Sequence, residues 1–401
     1  MQNRISLIAL FTSAAALMAA PAFAQDANAF GQRLVDILSA SGLEMSFANA
    51  TADGDTIVLS DFTITAPGED PIDLPGDLTF TGVAEAADGS FTAETATIAD
   101  IAFADDDVSI TAANFLVEDI TLPADYSPSS VSSMLLYRRA SAGPMSVAME
   151  GTEIFTLDNF SAETTGDETE ITSGYEMSGL MINVEALMAE MDEEEAAEAQ
   201  QVFEAFDIDQ LVANFSGSGT WRPQSGEAEL TDLRFDFADL GALSLSGSFT
   251  GYTAELYGEM IKMQQKLAAS VDTMSEQELQ AVQDASLAML ADVGVVSFSI
   301  RYDDASLFNK SLAFAAAEQG IDATTLAAGL QFMVPMMLTE LQNPEFSAAV
   351  TQAVNAFVAN PQNFTISANP TEPLYVNDFV GIEEDPFAAI DLLGLTVTAN
   401  Q

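Results

Sequence analysis

From Leu43 to about Leu122 the chain alternates. Thr, Val, Ile and Phe fall among Ala, Asp and Ser, and the runs are cut by Asp53-Gly54, Pro67-Gly68, Pro75-Gly76 and Asp88-Gly89. A period of two belongs to strands half-buried in a sheet, and turn pairs this close together predict successive antiparallel strands. A Ser-rich connection begins at Tyr126 to Pro128, with strands resuming near Ser133. The same texture returns from Leu211 to Thr250 and in Val295 to Tyr302. Elsewhere the spacing is helical. Residues 26–42 gather Leu34, Val35, Ile37 and Leu38 on one side, with Gly42 placed as a C-cap. Val184 to Phe206 combines an apolar stripe with the run Asp192-Glu193-Glu194-Glu195 and reads as one acidic helix. Leu256, Met260, Met263, Leu267, Val271 and Met274 form a heptad-like seam, and Ser275 with Glu278 makes a capping box for a second helix running to about Asp292. Further helices are expected at 305–319, 323–341 and 345–359, and closing strands at 363–368 and 395–399.

One irregularity recurs. Leu59-Ser60-Asp61-Phe62-Thr63-Ile64 has the form apolar, x, Asp, apolar, x, apolar, and Ile98 to Phe103, Val117 to Leu122 and Leu230 to Phe235 repeat it around Asp100, Asp119 and Asp232. Leu157 to Ala162 is a looser copy with Asn159. Two apolar residues three apart would point to opposite sides of a regular strand. A kink or bulge at Asp61, Asp100, Asp119 and Asp232 would return them to one face and increase the local twist. The competing reading is that Asp-containing strand ends simply look alike.

Composition narrows the function. There is no Cys and no His, and ten Lys+Arg stand against 62 Asp+Glu, a formal net charge of −52. A Ser-His-Asp or Cys-His site is therefore impossible, and no Gly-x-Ser-x-Gly or GxxxxGK pattern occurs. Such a charge repels nucleic acid and anionic membrane headgroups. Residues 1–24 have the parts of a secretory leader: Arg4, an apolar run from Ile5 to Ala20, and Ala22-Phe23-Ala24 before Gln25. The chain is thus expected to be exported, without disulfides.

Three acidic runs, Asp105-Asp106-Asp107, Asp192 to Glu195 and Glu383-Glu384-Asp385, lack the spaced Gly and distal Glu of a calcium loop and read as solvated charge. Ala323 to Leu338 is the most apolar internal run and brings Phe332, Met333, Met336 and Met337 together. Core packing is the favoured reading of this run, and contact with an apolar ligand is second, because Met side chains adapt to variable apolar surfaces. Arg138-Arg139 is expected on a strand beside local carboxylates, and Trp221-Arg222-Pro223 at a strand end. No catalytic, cofactor-binding or metal-ligating set emerges, and no cofactor is expected.

The repeats at Leu59 to Ile64, Ile98 to Phe103, Val117 to Leu122 and Leu230 to Phe235 resemble the strand repeats of AsmA-like bacterial envelope proteins. The resemblance implies a curved sheet with an apolar inner groove that moves or shelters lipid between membranes. The ending, from Asn360-Pro361-Gln362-Asn363-Phe364-Thr365-Ile366 to Leu392-Leu393-Gly394-Leu395-Thr396-Val397-Thr398-Ala399-Asn400, is similar to that of uncharacterised exported alphaproteobacterial proteins.

The expected fold is α+β: an extended, curved antiparallel sheet with a C-terminal helical block packed on it. Its segments are the leader 1–24, a β-rich domain 25–250 with a helical insertion at 184–206, and a helical block 251–401 with closing strands. The expected function is non-enzymatic. One reading is a periplasmic module that binds or carries an apolar ligand, possibly lipid, between sheet and helices. The other is a structural or interaction protein of the cell envelope with no small ligand, its protein partner unspecified. A carboxylate-dependent hydrolase is the remote third.

Overall fold

A computed structural model describes residues 26–401 except 41–42, 66–70, 74–75, 105–107, 190, 192, 269–274, 342, 376–377 and 379–387. The leader, the Asp105 and Glu383 runs, Asp192 and the end of the Leu256 seam lie outside the described residues.

The fold is α+β and mostly antiparallel. Helix α1 (Ala27–Ala40) leads into β1 (Glu44–Asp53), β2 (Thr56–Thr65), β3 (Ile72–Asp73), β4 (Leu78–Thr81), β5 (Ala84–Glu85), β6 (Phe91–Ile98), β7 (Ile101–Ala104), β8 (Val108–Ala112) and β9 (Phe115–Leu122). A 3-10 turn at Val131–Leu135 stands where strands were expected to resume, and β10 (Arg139–Ala142) follows it. Next come β11 (Met145–Met149), β12 (Thr152–Leu157), β13 (Asn159–Asp167) and β14 (Glu170–Asn183). The single helix expected over 184–206 is two, α2 (Val184–Met188) and α3 (Glu193–Phe206). They precede β15 (Gln210–Arg222), β16 (Glu227–Phe237), β17 (Gly241–Thr250), α4 (Ala254–Ala268), α5 (Glu276–Met289) and β18 (Gly294–Asp304). The chain closes with α6 (Leu307–Glu318), α7 (Ala323–Leu338), α8 (Pro344–Ala359), β19 (Asn363–Ala368), β20 (Leu374–Tyr375), α9 (Ala388–Leu393) and β21 (Leu395–Ala399).

The chain divides into two compact units that interleave along the sequence. Unit 1 takes the chain up to Met177, Trp221–Gln224 and Thr253–Met289, and unit 2 takes Ser178–Thr220, Ser225–Tyr252 and Leu290–Gln401. The chain leaves unit 2 after Tyr252 and re-enters unit 1 at Thr253.

In unit 1 the strands pair in the order β1, β2, β4, β6, β9, β10, β13. Beyond the ends of β6, β9, β10 and β13, the adjoining strands β7, β8, β11 and β12 pair in the same order. Four long strands are thus interrupted at one level. Polar groups and a glycine mark that line. Asp100 accepts from the Asn114 amide at 3.3 Å, and the Asn114 side chain donates to the Gly143 carbonyl at 2.9 Å. Gly143 has φ +133, and a Cβ there would lie 2.4 Å from the Asp158 carbonyl oxygen, so only glycine fits.

Helix α1 fills the apolar side of this sheet. Asp26 caps it by accepting from the Asn28 and Ala29 amides at 3.1 and 3.2 Å. Its buried stripe is Ala27, Phe30, Gly31, Leu34, Ile37 and Leu38. The Phe30 ring packs 5.1 Å from Phe80 and 5.6 Å from Phe91. A Cβ on Gly31 would approach the Phe47 ring to 2.5 Å, so the helix axis sits close to β1. The interior of unit 1 is therefore closed by the first helix of the described chain, where C-terminal helices had been expected to provide the cover. Tyr257 of α4 contributes at the periphery, its ring tilted against Trp221 with centroids 5.4 Å apart.

Unit 2 has a second antiparallel run, β16, β17, β18, β19, β21. Here a C-terminal helix does pack on strands. Phe357 of α8 meets Tyr302, Phe308 and Phe364 at ring distances of 6.1, 4.9 and 5.7 Å.

Candidate functional site: an open apolar sheet face

The alternation within β16 to β21 sorts the unit 2 sheet into two opposite faces. Directly paired residues in an antiparallel sheet project on the same side. One row runs Leu233, Leu245, Ile300, Ile366, Val397 across five strands. The row beside it is Phe235, Leu243, Tyr302, Phe364, Ala399, and on the other side lies Leu230, Gly247, Phe298, Ala368, Leu395. The opposite face is hydroxylated or charged: Ser246, Ser299, Ser367, Thr396 in one row and Arg234, Ser244, Arg301, Thr365, Thr398 in the next. Ser299 and Ser367 share a hydrogen bond of 2.9 Å.

A sheet that alternates this cleanly would bury its apolar side. The coverage here stops short. Phe357 seals the row at Tyr302 and Phe364, yet Leu243 remains 37% exposed, Ile300 38% and Ile366 42%. The two isoleucines are direct cross-strand partners in the central row, so the uncovered area is contiguous. Scattered exposed aliphatics are ordinary; adjacent ones on the apolar side of a sheet make this face the candidate site.

The polar face has its own electrostatic tie. Arg234 reaches Asp236 at 3.1 Å and Asp303 at 3.3 Å, and Arg301 reaches Asp303 at 2.7 Å. Partial burial works to raise the Asp303 pKa, but hydrogen bonds from Arg301 and Arg234 outweigh it and hold the carboxyl below its ordinary value. At the sheet end, Tyr302 donates to Asp304 at 2.5 Å, and the same carboxylate oxygen accepts from the Phe308 amide at 2.8 Å at the start of α6. Burial, then that carboxylate, pushes the Tyr302 hydroxyl pKa up.

The sequence candidates are distributed differently. Asp61 and Asp119 lie inside β2 and β9 with φ of 52° and 51°, a left-handed conformation that Asp tolerates better than most side chains. Ile57, Leu59, Phe62 and Ile64 are consequently all buried, as are Phe115, Val117, Ile120 and Leu122. On one edge of each strand the pairing stays in step across the kink: Phe47 is opposite Phe62 and Asn49 opposite Ser60, and Thr95 is opposite Glu118 and Ala93 opposite Ile120. Asp232 lies in β16 where the pairing with β17 slips between Leu230 and Leu233. Asp100 lies between β6 and β7, on the line of interruptions.

Phe332, Met333, Met336 and Met337 do not pack in a core. No residue of α7 is buried, and these four are between 56% and 70% exposed. Helices α6 and α8 flank α7, and Gln331 reaches the Asn355 carbonyl of α8 at 3.5 Å; the opposite side of α7 stays open. The core reading failed because apolar content alone does not say how many neighbours a helix will have.

Arg139 pairs with Glu118 and Glu163 at 3.4 and 3.5 Å, and Arg222 with Glu170 at 2.8 Å. Among the described residues no group of three or more acidic side chains is placed to hold a metal ion. The side chains of Glu193 to Glu195 lie outside the description.

A family model described as an uncharacterized protein matches residues 234–400. The matched span holds most of the apolar face, from Phe235 to Leu395, and all of α7. No curated protein matches the chain.

Proposed function

We propose that this is an exported, non-enzymatic carrier that binds an acyl chain or similar apolar ligand on the open face of β17, β18 and β19 in unit 2. The observation that supports the reading is the contiguous exposure of Leu243, Ile300 and Ile366 on an otherwise alternating sheet. The likeness of its strand repeats to AsmA-like envelope proteins points to the same ligand class. The periplasm is the proposed address, reached through the leader at 1–24, and the acidic surface keeps the carrier off nucleic acid and anionic headgroups. Neither of the strongly acidic protein's arginines in this sheet, Arg234 and Arg301, lies on the apolar face, so the ligand is held by its chain and not by a charged head.

Titration with a fluorescent long-chain fatty acid tests this. The wild-type protein is expected to show saturable binding, and Ile300→Asn with Ile366→Asn to abolish it while the unfolding curve moves little. Gentle purification that yields no lipid by mass spectrometry, together with no uptake of the probe, overturns it. A second reading, an envelope scaffold without a small ligand, draws on the filled interior of unit 1. A co-purifying protein partner in place of lipid would select it.

A further inference from the structure

We infer that α7 docks the protein on the surface of a lipid bilayer with electrically neutral headgroups, its Phe332, Met333, Met336 and Met337 face entering the acyl region. This goes beyond the carrier proposal, since it concerns a different surface, and it assigns acyl chains of a membrane as what that helix face touches.

Three observations converge. First, the four side chains occupy one side of the helix at successive spacings of one, three and one, and all are more than half exposed. Second, the helix contains no charged residue from Ala323 to Leu338, and the capping carboxylate Asp322 sits at the opposite end from the Met cluster, accepting from the Thr325 amide at 2.9 Å. Among the described residues no single helix is long and apolar enough to cross a membrane. The pair α6 and α7 has the length and composition together, but it is bent by 100°. A bent apolar pair with one open side matches shallow insertion, in which a helix face enters about 5–10 Å. Third, charge chooses among occupants. A second copy of this chain would bring another −52 against the first, and an anionic bilayer would be repelled likewise. A neutral bilayer offers apolar depth without that opposition, and Met-rich surfaces suit its disorder.

The experiment is co-sedimentation of the full chain with phosphatidylcholine vesicles, compared with vesicles containing one-third phosphatidylglycerol. Wild-type protein is expected to partition onto the neutral vesicles, to bind the anionic ones at least tenfold more weakly, and to regain part of that loss in high salt as repulsion is screened. Changing all four residues to Ser should reduce binding to neutral vesicles at least tenfold. Phe332→Trp supplies a gentler readout: its emission should shift to the blue on vesicles and be quenched by brominated acyl chains. The inference is overturned if the wild type stays in solution, if the Ser variant binds as well as the wild type, or if the Phe332→Trp signal ignores the bromines. It is also overturned if sedimentation shows a dimer that the Ser variant converts to monomer, which would make a second copy the occupant. Fatty-acid uptake in vesicle-free solution should be unchanged in the Ser variant, so failure of docking and failure of the carrier proposal are separable.

Discussion

Replacing Phe30 by Ala tests whether unit 1 is a finished core or a hollow that α1 merely lids. Phe30 is fully buried and sits between the rings of Phe80 and Phe91 at 5.1 and 5.6 Å. Truncating a packed Phe costs about 3–5 kcal/mol, covering lost transfer energy and the cavity left behind. With a urea slope of about 3 kcal/mol/M, the midpoint should fall by roughly 1–1.7 M. The single tryptophan, Trp221, is buried in unit 1 against Tyr257, so its fluorescence reports that unit while far-UV circular dichroism reports both. The expected result is a large shift of the tryptophan transition with no gain in fatty-acid uptake. A shift below about 0.3 M, some 1 kcal/mol at the same slope, refutes the reasoning. So does a variant that becomes a better fatty-acid binder, because α1 would then be covering a ligand space.

Gly143→Ala should lower the unit 1 transition by more than about 2 kcal/mol, since both its φ and the Asp158 carbonyl forbid a Cβ; a neutral outcome in a urea titration would remove Gly143 from the interruption line. Asp61→Gly should be neutral to slightly stabilising and Asp61→Val should cost about 1–2 kcal/mol, the penalty of a branched side chain in the left-handed region; equal stabilities would contradict the kink. The Asp303 carboxyl titrates below its unfolded value of about 3.9. Its contribution is therefore complete above that pH and is lost as pH falls through the lower, folded value. Asp303→Asn should flatten the acid limb of stability measured below about pH 4, and an unchanged limb would count against the pairing with Arg301 and Arg234.

Much of the fold was legible along the chain because its strands alternate and its turns are marked. The Asp61 and Asp119 steps could be read because an i, i+3 break in a period of two forces a conformational remedy, and Asp is among the few residues able to supply it. Helices α1, α6, α7 and α8 followed from spacing and caps such as Asn343, which accepts from the Phe346 amide at 3.0 Å. Cover was not legible. The repeat says which side of β2 is apolar but not whether α1 or a later helix will lie there; that depends on contacts between residues far apart in sequence. The open face had a local signal, the alternation of Leu243, Leu245 and Gly247 with Ser244, Ser246 and Ser248, but its exposure depends on where α8 ends its coverage. The Met cluster misled for the same reason.

The interleaving of the two units bears on how the polypeptide can mature. Unit 1 includes residues from the first helix through Met289, and Gln265 ties back to the Ala40 carbonyl at 2.6 Å. The opening domain therefore waits for nearly three-quarters of the protein to emerge before its last pieces arrive. A product truncated at residue 250 would lack Thr253–Met289 of unit 1 and Leu290–Gln401 of unit 2, so neither unit would be complete.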